Sequence, residues 1–230
     1  MAGMSGSAGT ASMAAAGAAG AKEATACVKG EVKAGEVVFI GESFIAQTGE
    51  IPRQTNMLAQ KAGTIGPSES YRSFAVSGTQ LTTGEIPGQF DRAVMAGPVK
   101  VVLMDGAGND LLIGDRCKTF DAKCQEVVDV VVKLFMTFKS KGVKDVVYFF
   151  YPDPMGIGAQ IKDMMDVLRP EMKKVCDGAT DVRCIWVDQR ESWMDHYGEF
   201  TSDGIHPTSA GAAASAKQIW DAMVANCIAQ

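Results

Sequence analysis

A hydroxyl, an imidazole and a carboxylate in hydrogen-bonding order can carry out acyl transfer. This chain offers candidates for each. Ser43 ends the run Glu36-Val37-Val38-Phe39-Ile40-Gly41-Glu42-Ser43. A serine hydroxyl is a weak nucleophile, so it needs a base within reach. The chain holds 2 histidines, His196 and His206. His206 has Asp203 three positions before it, where a carboxylate can fix the imidazole tautomer and stabilise the imidazolium. Attack on an ester carbonyl would develop an oxyanion. Its candidate donors are the backbone N–H groups of Ser43 and Gly78 and the side-chain amide of Asn109. His196, in Asp195-His196-Tyr197, reads as an exposed loop residue. Asp153 and Asp188 read as capping or pocket-lining acids. Tyr151, Trp186 and Trp193 could form a platform for a sugar, although large aromatics more often fill a core.

These residues need a frame. Apolar runs over residues 37–41, 71–76, 99–104, 143–150 and 182–187 predict five strands. Between them, spacing predicts helices over 55–61, 89–95, 118–139 and 157–175, with Gly49 and Pro52 read as breakers in a loop over 47–54. A last Ala-rich helix runs to about 227, capped by Thr208 or Ser209. Strands alternating with helices predict an α/β fold, a parallel sheet covered by helices on both faces. On that frame Ser43 follows the first strand, Gly78 the second and Asn109 the third, while Asp203 and His206 follow the fifth. All five fall at strand carboxyl ends, the edge where open α/β sheets bind ligands.

Gly41-Glu42-Ser43-Phe44, Ser77-Gly78, Gly108-Asn109-Asp110 and Asp203-Gly204-Ile205-His206-Pro207, in this order, resemble the four signature blocks of the SGNH, or GDSL, hydrolases. The resemblance covers roughly residues 37–228. It implies a three-layer, flavodoxin-like fold with a five-stranded sheet, and a serine esterase or lipase mechanism without metal or cofactor. By position it implies Ser43 as nucleophile, His206 as base, Asp203 as orienting acid, and Ser43, Gly78 and Asn109 as the oxyanion hole. Two residues depart from the pattern. Glu42 stands where the family usually has Asp, and Ala107 where a Gly would fall. An α/β-hydrolase would want G-x-S-x-G, but Ser43 is followed by Phe44-Ile45.

The 230 residues suit one domain with a tail: a disordered Ala/Gly/Ser-rich linker over 1–26 and a hydrolase domain over 27–230. The linker lacks the basic start and Leu-rich core of a signal peptide. A net charge of −5 with no basic stripe argues against nucleic acid as a partner, and no apolar run is long enough to span a membrane. Of the 6 cysteines, spacing suggests pairs Cys117–Cys124, Cys176–Cys184 and Cys27–Cys227 and hence a secreted or cell-envelope protein. Buried free thiols are the alternative. The expected activity is a carboxylic-ester hydrolase acting through an acyl-enzyme on short-to-medium acyl esters. Its substrate would be a small-molecule or glycan-borne ester. A carbohydrate O-acetyl esterase and a non-catalytic binding module are the alternatives.

Overall fold

The computed structural model describes Cys27 and residues 31–229. The stretch read as a linker, 1–26, lies outside the described residues. In chain order the elements are β1 (Val37–Ile40), α1 (Ser43–Ala46), α2 (Glu50–Lys61), β2 (Arg72–Ser73), α3 (Glu85–Met95), β3 (Val101–Met104) and α4 (Gly108–Leu112). They continue with α5 (Ala122–Ser140), β4 (Asp145–Phe150), α6 (Lys162–Asp177), β5 (Arg183–Asp188), α7 (Arg190–Trp193), α8 (Tyr197–Phe200) and α9 (Ser209–Ala225).

The strands form one 5-stranded sheet in the order β2-β1-β3-β4-β5, parallel throughout. Every residue of β1, β3 and β4 is buried, which explains their unbroken apolar runs: both faces are covered, so no face alternates with water. Each such Val, Ile or Phe contributes about 1.5–3 kcal/mol by leaving water. α2 packs against α9. On the opposite face α5 packs against α6, and Phe90 of α3 meets Phe138 of α5 edge-on at 4.5 Å. The chain runs from β1 outward to β2, then crosses back to build β3, β4 and β5 on the other side. That reversal opens a crevice at the carboxyl ends of β1 and β3.

Several element boundaries differ from those read in the sequence. α2 and α3 begin at Glu50 and Glu85, well before the expected 55 and 89. Pro52 and Pro87 each occupy the third position of the first turn, where an N–H has no intrahelical acceptor, so proline costs no bond there. α5 starts at Ala122 rather than 118 because the Asp121 carboxylate accepts from the N–H groups of Lys123 and Cys124 and so caps it. The expected second strand shrinks to two residues at the sheet edge.

Disulfides join Cys27 to Cys227, Cys117 to Cys124 and Cys176 to Cys184. The free-thiol alternative is thereby corrected. No helix among the described residues is long and apolar enough to cross a membrane.

Candidate active site

β1 delivers the chain to Gly41, whose φ of +143° lies in the region that L side chains avoid. A β-carbon there would come within 1.8 Å of Asp105 Oδ1. The bend is held from two sides. Gln89 accepts from the Gly41 N–H at 2.6 Å and donates to its carbonyl at 2.9 Å. Asp105 Oδ1 accepts from the Glu42 N–H at 2.6 Å. Ser43 follows as the first residue of α1, so its own N–H has no acceptor within that helix. Behind it, Phe44 packs on the buried rings of Tyr151 and Trp193 at 5.6 and 5.9 Å.

The Ser43 hydroxyl lies 2.9 Å from His206 Nε2, and His206 Nδ1 lies 2.6 Å from Asp203 Oδ2. An ionised carboxylate only accepts, so the ring proton belongs on Nδ1 and Nε2 presents a lone pair to the serine. Burial opposes ionisation of Asp203. The His206 ring, the N–H groups of His206 and Ile205 and the imidazolium charge outweigh it and hold the carboxyl well below the usual carboxylate range. The loop itself is braced. Met155 N–H donates to the Gly204 carbonyl at 2.7 Å, Gly204 N–H donates to Thr201 Oγ1 at 2.9 Å, and Thr208 caps α9 by accepting from Gly211 N–H.

Asn109 lies in the first turn of α4, at the end of β3. Its amide donates to the Thr79 carbonyl at 3.0 Å, and the NH₂ group carries a second N–H. Gly78 precedes that carbonyl with φ +83°, and nothing lies within 4 Å of where a β-carbon would sit, so the backbone is approachable. Asp110 ties the same loop down by accepting from the N–H groups of Leu81 and Thr82 and from the Thr82 hydroxyl. Thr79 Oγ1 in turn accepts from Gln89 at 3.0 Å. The loops after β1, β2 and β3 are therefore one hydrogen-bonded unit.

Sequence reasoning missed three members of this unit. Glu42 stands out in the sequence only as a departure from the motif pattern. It is buried, and its two carboxylate oxygens accept from the N–H groups of Ala107 at 2.7 Å and Asn109 at 2.8 Å. Burial, then the Asp105 and Asp110 charges, push its carboxyl well above the usual range, against the pull of the Asn109 N–H and the Tyr151 hydroxyl. Burial likewise pushes Asp105 up to about 7. Gln89 carried no signal beyond its place on a helix. For Asp105 a signal existed: a charge ending a fully apolar strand implies a buried partner.

The remaining candidates lie elsewhere. His196 is exposed, stacked on Phe200 at 5.0 Å and 3.6 Å from Glu199. Asp153 and Asp188 flank the buried Arg169, which pairs with them at 3.0 and 3.1 Å. They line a cavity of about 380 Å³ together with Arg190 and Tyr197. Tyr151 and Trp193 are buried and build core, while Trp186 is half-buried, stacks on Phe150 at 5.4 Å and lines a cavity along β5 that Ser43 and His206 do not line. A cavity of about 790 Å³ follows the outer edge of β5 between α6 and α9 and holds none of the five candidates. A smaller one of about 350 Å³ opens beside Asp203 and Gly204.

No family model and no curated protein matches the chain. Solved structures do. Axe2, an acetylxylan esterase from Geobacillus stearothermophilus, is 16% identical with a TM-score of 0.63 over 84% of this chain and 96% of its own. The acetyl xylan esterase AlAXEase is 14% identical with a TM-score of 0.63 over 81% and 98%. Catalytic mutants of Axe2 carry alanine in place of one serine, one aspartate and one histidine, the aspartate three positions before the histidine. The chain has the fold of these esterases, a five-stranded parallel α/β sheet with its crevice at the β1 and β3 carboxyl ends.

Proposed function

We propose that the protein is a carboxylic-ester hydrolase with Ser43 as nucleophile, His206 as general base and Asp203 as the acid that orients it. The observation that carries this reading is the continuous chain from Ser43 Oγ to His206 Nε2 and from His206 Nδ1 to Asp203 Oδ2. As Oγ attacks the ester carbonyl, its proton passes to Nε2 and the carbonyl π electrons move onto oxygen. The oxyanion is met by the N–H groups of Ser43 and Gly78 and the amide of Asn109, each worth about 2.7–4 kcal/mol of barrier. Collapse breaks the ester C–O bond, the proton on Nε2 leaves with the alcohol, and an acyl-Ser43 remains. Water, deprotonated by His206, then releases the acid.

Short-to-medium acyl esters are the proposed substrates. The second reading, a carbohydrate O-acetyl esterase, draws on the shared fold with acetylxylan esterases. It also draws on the cavity beside Asp203, which is of the size that small-ligand pockets have. The proposed location is outside the cytoplasm, since all 6 cysteines are paired.

The test is hydrolysis of p-nitrophenyl acetate by wild type, Ser43→Ala and His206→Ala. Each variant should lose on the order of 10⁴-fold or more in kcat, and full activity in either would sink the proposal. Acetate release from acetylated xylan, compared with the aryl ester, separates the two readings. A wild type that neither hydrolyses esters nor takes a fluorophosphonate label on Ser43 would be a binding module.

A further inference from the structure

The two departures from the motif pattern, Glu42 and Ala107, touch one another. The Ala107 N–H donates to Glu42 Oε1 at 2.7 Å across 65 positions of sequence, and the Asn109 N–H donates to Oε2 at 2.8 Å across 67. Ala107 stands at the N-cap of α4 with φ +93° and has no side-chain oxygen to serve the helix's first N–H groups. Glu42 supplies that missing acceptor from another strand's loop. A glycine at 108 makes room: a β-carbon there would lie 3.0 Å from Glu42 Oε2. Glutamate reaches about 1.5 Å further than aspartate, one carbon–carbon bond.

Asn109 is thus held at both ends, by Glu42 at its backbone and by the Thr79 carbonyl at its side chain. We propose that Glu42 is a positioning residue: its two carboxyl oxygens, accepting from the Ala107 and Asn109 N–H groups, set where the Asn109 amide meets the substrate oxyanion. Glu42 with Ala107 thereby does what a shorter acid with a glycine could do. This inference rests on the ester-hydrolase reading.

The experiment is steady-state hydrolysis of p-nitrophenyl acetate by wild type, Glu42→Asp, Glu42→Gln, Asn109→Ala and the Glu42→Asp/Asn109→Ala pair, with circular dichroism on each. Asn109→Ala should lose about 10²–10³-fold in kcat. Glu42→Asp should lose about 10–10²-fold in kcat, the cost of misplacing a group by about 1 Å, with KM changed less than about twofold. The pair should be no slower than Asn109→Ala alone, because Glu42 acts through Asn109. Adding Ala107→Gly to Glu42→Asp should restore activity by letting the backbone approach the shorter acid. If Glu42→Asp fails to fold, Glu42→Gln carries the test, since it keeps the volume but sets an NH₂ against one of the two N–H donors.

Unchanged kcat in an active, folded Glu42 variant, or losses that multiply in full, would overturn the inference and leave the hydrolase reading intact. An inactive wild type with unlabelled Ser43 would overturn both. Amide exchange in the wild type gives a readout independent of activity: the Ala107 and Asn109 N–H groups should be protected, and exchange at loop rates would overturn the clamp whatever the variants do.

Discussion

At the scale of the residue, the chemistry of this crevice depends on where charge is held. Asp203 stays ionised because the His206 ring and the N–H groups of His206 and Ile205 favour its charge, and it can therefore keep His206 in the tautomer that faces Ser43. Asp105 lies at the other extreme. It accepts from the Glu42 N–H while its second oxygen has no hydrogen-bond partner among the described residues, and burial pushes its carboxyl up to about 7. A raised folded value means that the native state binds more protons than the unfolded chain between about pH 4 and 7. The contribution is therefore fully present below about pH 4 and is lost as pH rises through 7. Asp105→Asn keeps the acceptor for Glu42 and removes the ionisation. The difference in urea midpoint between pH 5 and pH 8 should shrink in this variant relative to wild type. An equal difference in the two proteins would show that Asp105 does not titrate in this window.

At the scale of the element, short loops rather than helices set the geometry of the site. The Asp203–His206 loop turns at Gly204, where φ is +84° and a β-carbon would lie 1.9 Å from the Met155 carbonyl. Gly204→Ala should therefore push the loop off the β4 side of the crevice. We expect kcat/KM to fall about 10²-fold and stability to fall by about 1–3 kcal/mol, read by ester hydrolysis and thermal melting. Gly198→Ala is the matched control, since nothing lies within 4 Å of its β-carbon position; it should leave both nearly unchanged. Elements also show where sequence reading succeeds. The buried runs of β1, β3 and β4 were legible because burial on both faces demands continuous apolar residues. The starts of α2 and α3 were not, because proline breaks a helix in its interior but is tolerated in its first turn.

At the scale of the whole molecule, the three disulfides close loops of very different length. Cys27–Cys227 spans 200 positions and Cys117–Cys124 only 7. If disulfides act mainly by restricting the unfolded chain, the long loop is worth about 5 kcal/mol and the short one about 2. Replacing Cys27 and Cys227 together by serine should lower the melting temperature clearly more than replacing Cys117 and Cys124. The opposite ranking, by calorimetry, would mean that native-state packing outweighs loop entropy here.

The sequence by itself determined the alternation of strands and helices and the placement of Ser43, Gly78, Asn109, Asp203 and His206 at strand carboxyl ends. Such features are written in local periodicity or in separations along the chain. Cysteine spacing only suggested pairs, and the three disulfides were decided by the tertiary structure. The tertiary structure alone decided that Glu42 caps α4, that Gln89 and Asp105 hold the bend before Ser43, and that Tyr151 and Trp193 are core. The bonds of Glu42, Gln89 and Asp105 join residues 48 to 67 positions apart, side chain to backbone. Such bonds leave no period in the sequence, and they form once the sheet order has brought β1 beside β3.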